Sequence, residues 1–360
     1  MEYEIDFLPV GEESKSGDAI ALRYGNLSGG RSEQTVIVVD GGFAADGSKL
    51  IDHLDKYYET DAVDIVVSTH PDRDHISGLR TLLEGVQVGQ LWMHLPARHS
   101  VRAAESRGSG FSLGRYSEVV TKSLQDSSDL EDLAAKRGIE IVEPFTGVGT
   151  ADGVFTVIGP DEEFYVELLD EMETVDRTAG AAASVAAAGR AVRRFLTESW
   201  WKESLTDDGE TSPSNNSSVV SLLSIDGKHL LLTGDAGTPA LERAAEQLDA
   251  RGISAGDLRF VQVPHHGSRR NVGPMILDRL LGAIQAEEAE LGTAFVSSAR
   301  KGEPKHPSKR VTNAFKRRGY PVHVTQGDPR CDHSSGVQTR PGWSDSVPLP
   351  LYDEFDEDED

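Results

Sequence analysis

The sequence has little cysteine and no long apolar run. Its 360 residues include one cysteine, Cys331, which excludes an intrachain disulfide and a zinc finger built on cysteine pairs. The longest apolar runs, such as Val36–Val39, are far shorter than the ~20 residues that a membrane helix needs, so we expect no membrane association. The first ten residues are acidic and lack the basic start of a secretory signal, so we expect a cytoplasmic location.

Basic residues are also scarce. The chain has 36 Lys and Arg against 60 Asp and Glu, a formal net charge of −24. This balance argues against broad, non-specific binding to nucleic acid, which depends on basic side chains, but it allows one local basic or metal-lined site. The acidic residues are concentrated at 353–360, which we predict to be a disordered tail after a single domain at 1–352.

The order of predicted elements is typical of an α/β protein. Apolar β-branched runs at 35–40 and 63–68 predict buried strands, and helical patterns separate them. Asp226-Gly227 between two apolar runs predicts a hairpin. The polar and Ala-rich stretch at 98–206 is predicted to be a mainly helical insertion into a core of two β-layers flanked by helices.

Potential metal ligands are concentrated in one short segment. His70, Asp72, Asp74 and His75 place four ligand side chains within six residues, directly after the second buried strand. A loop at a strand end can turn such side chains toward one point. Histidine and carboxylate together suit Zn, Mn or Fe. The alternative is a polar loop whose aspartate caps the next helix, but four ligands at this spacing favour a metal site.

This segment resembles the HxHxDH signature of the metallo-β-lactamase superfamily, written here as HxDxDH. The resemblance covers about residues 5–327 and implies an α/β fold, the αββα sandwich, and a metal-dependent hydrolase. It implies that Asp235 bridges two metal ions and that Asp40 supports the metal loop. The other matching motifs follow in the superfamily's order: the opening hairpin at 8–25, VDGG at 39–42, LLTGDAG at 231–237, VPHHGS at 263–268 and KHP at 305–307.

The sequence resembles in particular the metallo-hydrolase domain of the DNA-uptake channel ComEC. The shared features are the opening Gly-Asp-Ala-Ile, an NxxS at 215–218, the HHGS and the Lys-His-Pro. The membrane channel of ComEC is absent from this sequence. The resemblance therefore implies a free-standing relative of that domain.

Two positions depart from the superfamily's pattern. Asp72 stands where the signature has its second histidine, and a carboxylate is a harder ligand that shifts preference toward Mn or Mg relative to Zn. The superfamily's middle metal histidine is not found, and the matching region holds Asn215 and Asn216. We therefore expect one or two divalent ions, Zn or Mn, with the position that uses His70 and Asp72 weak or empty.

The chemistry of such a site follows from two cations about 3.5–4 Å apart. His70 and Asp72 would hold one, and Asp74, His75 and a later histidine the other. A water that bridges the two ions loses a proton near neutral pH and becomes the nucleophile, and Asp74 orients it or accepts its proton. Because His265 and His266 are adjacent, we expect their side chains to point differently, and we assign His265 as the ligand.

Five further residues are assigned to the substrate. His266 would orient it, and Ser268 would contact a phosphate through its hydroxyl, although a plain turn explains Ser268 equally well. His306 would donate to a substrate oxyanion. Asn216 and Lys309 complete the predicted substrate site. Lys309 belongs to a basic cluster that would meet a phosphate backbone, with a solvated helix face as the alternative: Lys305, Lys309, Arg310, Lys316, Arg317 and Arg318.

Three functions fit these features. The first is a metal-dependent phosphodiesterase, most plausibly a nuclease, whose substrate is nucleic acid or another phosphate ester. The second is a metallo-hydrolase of a small ester, lactone or thioester, which the acidic surface favours. The third is a non-catalytic regulatory protein with the same fold. A protein partner would bind through the 98–206 insertion or the acidic tail.

Overall fold

The computed structural model describes residues 1–11, 15–99, 118–182, 195–300 and 306–356. The described strands are β1 (Glu2–Phe7), β2 (Ala19–Gly25), β3 (Gln34–Gly41), β4 (Ala62–Val67), β5 (Gln87–Trp92), β6 (Glu140–Val142), β7 (Phe155–Gly159), β8 (Phe195–Thr197), β9 (Val220–Ile225), β10 (Lys228–Leu232), β11 (Leu258–Gln262), β12 (Thr293–Val296), β13 (Val322–Val324), β14 (Arg330–His333) and β15 (Glu354–Asp356). The described helices are α1 (Asp46–His53), α2 (Arg73–Gly85), α3 (Glu118–Arg137), α4 (Glu162–Ala182), α5 (Pro213–Asn216), α6 (Thr238–Ala250), α7 (Pro274–Leu281) and α8 (Lys309–Arg317).

Two sheets form the centre of the molecule. The first has the strand order β14-β1-β2-β3-β4-β5-β6, and the second has the order β13-β12-β11-β10-β9-β7. In the first sheet β3 to β6 are parallel neighbours, and in the second β10 to β13 are parallel neighbours. The carboxyl ends of these parallel strands carry the loops that hold the candidate ligands.

The two sheets pack face to face through apolar side chains. Strand β3 shows the pattern: Ile37 and Val39 point into the core between the sheets, whereas Val36 and Val38 point into a core beneath helices. A strand that is buried on both faces needs an unbroken apolar run, which explains the run that the sequence shows at this place. Phe7 of the first sheet contacts Phe260 of the second, with ring centroids 5.7 Å apart.

Helices cover the outer face of each sheet. Helices α1, α2 and α3 pack on the first sheet, where Leu50, Leu82 and Leu130 are buried together. Helices α6, α7 and α8 pack on the second sheet. The result is the predicted mixed α/β architecture of two sheets flanked by helices. Among the described residues, no helix has both the length and the apolar character that crossing a membrane requires.

The segment 98–206 differs from the mainly helical insertion predicted for it. Strand β6 adds to the first sheet beside β5, and strand β7 adds to the second sheet beside β9. Part of the segment is therefore core sheet, and Phe155 and Val157 of β7 lie in the core between the sheets. Residues 183–194, which make up most of the Ala-rich stretch, lie outside the described residues.

The predicted disordered tail also needs a correction. Strand β15 pairs antiparallel with β8, so 354–356 are not part of a disordered tail. Phe355 is the physical reason, because its ring is buried and anchors a segment whose other residues are acidic. Residues 357–360 lie outside the described residues.

A buried ion pair ties helix α8 to the segment that follows β8. Arg317 and Glu198 are buried, and their nearest charged atoms lie 2.8 Å apart. Arg317 also donates to the backbone carbonyls of Ser199 and Trp200. An unpaired guanidinium in this position would be a charge with no access to water, which is strongly unfavourable.

We therefore expect Glu198→Gln to lower the free energy of unfolding by about 3 kcal/mol, measured by urea denaturation followed by circular dichroism. The matched control is Glu84→Gln. Glu84 pairs with Arg80 on an exposed helix face, so its loss should change the same quantity by less than about 0.5 kcal/mol. Equal denaturation midpoints for the two variants would contradict a stabilising role for the buried pair.

Candidate metal centre

Asp40, at the end of strand β3, anchors the loop that carries the HxDxDH segment. Its carboxylate accepts hydrogen bonds from the Thr69 backbone N–H (2.8 Å) and the Thr69 hydroxyl (2.6 Å). It also accepts one from Nδ1 of His75 at 2.8 Å. Because Nδ1 carries the proton, the lone pair of His75 Nε2 is left to face the centre of the site. The structure thus gives Asp40 the supporting position that the superfamily resemblance implies.

The HxDxDH segment brings its side chains to one point at the start of helix α2. His70 Nε2 lies 3.7 Å from Asp72 Oδ2 and 3.8 Å from Asp235 Oδ2. Asp72 is the residue that precedes the first turn of α2, and Asp74 lies within that turn. The helix N-terminus favours both carboxylates there. Asp72 Oδ1 also accepts a hydrogen bond of 2.7 Å from the Ser214 hydroxyl, which fixes its orientation.

Asp235 occupies the middle of the cluster and faces three histidines. Its Oδ1 lies 3.4 Å from His75 Nε2, and its Oδ2 lies 3.6 Å from His265 Nε2. The backbone of Asp235 is held in place on both sides. Its N–H donates to the Ser218 hydroxyl at 3.1 Å, and its carbonyl accepts from the Asn271 side chain at 2.7 Å. The carboxylate is therefore fixed between the two sheets with its oxygens pointing to different partners.

His265 and His266 both point into the site, although they are adjacent. Their φ angles are 47° and 55°, in the left-handed region that non-glycine residues seldom adopt. Asn271 Oδ1 lies 2.9 Å from His265 Nδ1, which leaves His265 Nε2 to face Asp235. His266 Nε2 lies 3.6 Å from Asp74 Oδ2. The left-handed backbone at both residues therefore allows two consecutive rings to reach two carboxylates of the cluster, His265 that of Asp235 and His266 that of Asp74.

Asp18 is a site residue that the sequence analysis did not assign. It lies directly before strand β2, is almost fully buried, and accepts a 2.8 Å hydrogen bond from the Gln262 side chain. Its Oδ2 lies 3.8 Å from His75 Nδ1. Its backbone N–H donates to the carbonyl of Asp74 at 3.2 Å, so the opening hairpin packs directly on the metal loop. The signal in the sequence was the polar Gly17-Asp18 pair directly before a buried strand.

Buried atoms without hydrogen-bond partners test whether these residues fit a metal ion. Among the described residues, six such atoms belong to this cluster: Nε2 of His70, Nε2 of His75, both ring nitrogens of His266, Oδ1 of Asp235 and Oδ1 of Asp18. Buried polar atoms are normally paired, and mixed imidazole and carboxylate donors suit a divalent transition ion. The described residues thus form His/Asp clusters able to hold a metal: Asp40 with His70 and His75, Asp74 with His75 and His266, and Asp18 with His75 and Asp235.

The electrostatics of the cluster favour positive charge. Burial acts to raise the pKa of Asp74, but the close approach of the His266 ring and the charge of His75 lower it to about 2. Burial acts to lower the pKa of His266, but the charge of Asp235 and the close approach of the Asp74 carboxylate raise it to about 9. The same kind of balance raises the pKa of His75 and lowers that of Asp235. The negative charge of the carboxylates thus favours binding of a cation in the site, either a proton on a histidine or a metal ion.

The structure brings three of the five residues assigned to the substrate close to this cluster: His266, which is part of it, and His306 and Ser268. The His306 ring stacks beside His265, with ring centroids 6.2 Å apart. Ser268 is buried at the end of the turn that carries the two histidines, and its hydroxyl accepts the Arg270 N–H at 3.3 Å. Lys305, which precedes His306, lies outside the described residues.

Asn216 and the basic cluster have contacts that the sequence analysis did not predict. Asn216 Oδ1 accepts the Gly237 N–H at 3.1 Å, so this side chain holds backbone, and its neighbour Asn215 is the residue that contacts His265. Lys309 lies over the rings of Tyr352 and Phe355, away from the ligands. Arg317 and Arg318 are buried in ion pairs, so the predicted basic face is reduced to fewer cations. Which of these cations are buried and which are exposed depends on the rotation of helix α8 about its axis, which the sequence does not reveal.

Comparisons with known proteins bear on the fold. Residues 31–174 match the model of the Metallo-beta-lactamase superfamily. No curated protein matches the chain. A putative metallo-beta-lactamase from Thermotoga maritima is 11% identical over 71% of this chain and 88% of its own, with a TM-score of 0.33. Unliganded yeast PDE1 is 12% identical over 89% of this chain and 97% of its own, with a TM-score of 0.43. At these scores, neither structure says anything about the activity of this chain.

The matched range contains Asp40 and the whole HxDxDH segment, and it ends before Asp235 and His265. The fold joins the later residues to the matched part, since Asp235 lies near His70 and His75, and His266 lies near Asp74, all three inside that part. Residues 31–174 of this chain thus resemble the metallo-beta-lactamase superfamily, and the described residues fold as two sheets flanked by helices, with His/Asp clusters able to hold a metal.

Proposed function

We propose that the chain is a metal-dependent hydrolase of phosphodiester bonds, with two divalent cations held on either side of Asp235. One observation carries the proposal. Two buried nitrogens without partners lie on either side of a single carboxylate, His70 Nε2 near Oδ2 of Asp235 and His75 Nε2 near Oδ1, and Nε2 of the partly exposed His265 also lies near Oδ2. Two ligand groups around a shared carboxylate are what a pair of metal ions requires.

The ligands divide into two sets of four. The first set is His70, Asp72, His265 and Oδ2 of Asp235. In this set His265 takes the place of the superfamily's middle metal histidine, which this sequence lacks. The metal position of His70 and Asp72 is therefore complete in this assignment, whereas the sequence analysis expected it to be weak or empty. His265 and His266 are both ligands here, whereas the sequence analysis assigned only His265. The second set is Asp74, His75, His266 and Oδ1 of Asp235, with Asp18 beside it.

Divalent cations held there supply Lewis-acid activation of water and neutralise charge on a phosphoryl group in an in-line displacement. The protein's own residues position the reaction. Asp40 fixes the His75 ring, Asn271 fixes His265 and Ser214 fixes Asp72. Asp74, half-exposed at the mouth of the cluster, is placed to accept a proton, and His306 beside His265 is placed to donate to a substrate oxygen.

The donor set favours phosphodiesters over thioesters and lactams. Asp72 replaces a histidine and Asp18 adds another carboxylate, so the cluster is rich in oxygen, which favours Mn²⁺ or Mg²⁺ over Zn²⁺. The motif resemblance to the hydrolase domain of ComEC points to nucleic acid as the source of the phosphodiester. A cytoplasmic nuclease is the form of the proposal that we test.

A small ester or lactone is the second candidate substrate. It is favoured by the burial of Arg317 and Arg318, which removes cations from the surface that a long nucleic acid would contact. The net charge of −24 acts in the same direction, because it repels a polyanion.

The first prediction concerns metal stoichiometry. Equilibrium dialysis against Mn²⁺ should give two ions per chain for the wild type and one for either His265→Ala or His266→Ala, because each variant removes a ligand from a different set. The control is His229→Ala, which removes a histidine that contacts Ser224 near the start of β10, at the end of that strand opposite to Asp235, and should keep two ions. Two ions retained by His265→Ala would remove His265 from the ligand set.

The second prediction concerns activity. With Mn²⁺, the wild type should hydrolyse bis(4-nitrophenyl) phosphate, and Asp235→Asn should lower kcat/KM by more than about 100-fold, since even the outer partners of metal ligands contribute 10–100-fold. Circular dichroism would show that the variant is folded. The protein should be assayed in parallel on 4-nitrophenyl acetate and a lactone. If the wild type hydrolyses 4-nitrophenyl acetate or the lactone but not bis(4-nitrophenyl) phosphate, the proposal is wrong and the second candidate substrate is favoured.

A further inference from the structure

A separate recess lies beside the candidate metal centre. It has a volume of about 420 Å³ and is formed by the loop 205–210, the turn after β11 and the start of helix α8. Three arginines line it: Arg269, Arg270 and Arg310. None of them belongs to the ligand sets described above. In a chain with so few basic residues, three guanidinium groups around one cavity are a local concentration of positive charge.

The charge of the lining favours an anion. Asp208 and Glu210 also line the recess, which leaves three positive and two negative side chains there. This local excess of positive charge stands against a net charge of −24 for the chain. Asp208 is exposed to solvent, accepts a hydrogen bond from Thr206 and interacts electrostatically with Arg269 and Arg310, so an entering anion would take its place beside these arginines. Guanidinium groups prefer planar, two-pronged contacts with phosphate oxygens.

The walls of the recess are held rigidly. A Cβ atom at Gly209 would lie 2.6 Å from the backbone carbonyl oxygen of Arg270, so the loop 205–210 touches the arginine turn directly. The Thr211 hydroxyl donates to the same carbonyl at 3.0 Å, and Asp207 accepts the Met275 N–H at 3.0 Å. Arg310 is buried on the opposite wall. A preformed site binds a ligand without the entropic cost of ordering it.

The recess is close to the metal ligands along the chain. Arg269 is four residues after His265, which limits their Cα separation to about 14 Å. The loop 205–210 is followed within a few residues by Ser214 and Asn215, which contact Asp72 and His265. A group held by the arginines is thus within reach of a short phosphorylated substrate that is bound at the candidate metal centre.

We infer that this recess binds a second phosphate group of the substrate, adjacent to the phosphodiester at the metal centre. The inference rests on the proposed function and narrows its substrate class. The preferred substrate is then a short phosphorylated oligonucleotide or another compound with two neighbouring phosphates, and a simple diester lacks the second contact.

The test compares two dinucleotides with Mn²⁺: 5′-phosphorylated thymidylyl-thymidine and the same compound without the terminal phosphate. The wild type should favour the phosphorylated form in kcat/KM. The double variant Arg269→Ser/Arg270→Ser should lower that preference by about tenfold or more, because charge-assisted hydrogen bonds to phosphate are lost. Both arginines are exposed, so the fold should tolerate the change.

The matched control is Arg251→Ser. Arg251 is an exposed arginine that contacts Gln247 at the end of helix α6, away from the recess, and its loss should leave the preference as in the wild type. An unchanged preference in the double variant, with bis(4-nitrophenyl) phosphate hydrolysed by the wild type, would overturn the recess alone. A wild type that hydrolyses neither dinucleotide nor bis(4-nitrophenyl) phosphate would overturn the proposed function itself.

Discussion

The carboxylate of Asp235, buried between two sheets, is the constraint on which the site depends. A buried negative charge is costly unless cations or hydrogen-bond donors surround it. Here the surroundings are His70, His75 and His265, contributed by loops from both sheets. Each ring is fixed through its other nitrogen, by Thr69, Asp40 or Asn271. The arrangement keeps lone pairs aimed at the carboxylate, and a divalent cation satisfies both groups at once.

The fold produces this convergence because parallel strands place their carboxyl ends on one edge. Strands β3 and β4 deliver Asp40 and the HxDxDH segment, and strands β10 and β11 deliver Asp235 and the two adjacent histidines. The sheets are held at a fixed separation by aromatic and branched side chains, so the loops meet at a defined distance. Gln262 adds a direct link, since it accepts from the Gly234 backbone and donates to Asp18.

The sequence predicted the parts whose signal is local. Strands such as β3 and β4 were readable because burial on both faces demands an unbroken apolar run. Strands β6, β14 and β15 were missed because they are three or four residues long, partly polar, and defined by their partners rather than by their own pattern. Asp18 was missed for a related reason: its position beside His75 depends on how the opening hairpin packs on a loop more than fifty residues away. The sequence analysis assigned Lys309 to the substrate, whereas Arg310 is the residue that lines the recess. Adjacent helical residues point about 100° apart, and the sequence does not show which of the two faces the recess.

The basic residues of helix α8 illustrate how one element can serve two purposes. Arg317 and Arg318, at its end, are buried against Glu198 and Glu203 and thereby hold the chain that leads into the loop 205–210. Arg310, at its start, lines the recess that this same loop completes. The buried pairs therefore set the position of one recess wall relative to the other. Cations used in this way cannot contact a long polyanion. Under the proposed function, recognition of phosphate therefore falls to the few arginines of the recess, and the number of phosphates that the protein would hold is correspondingly small.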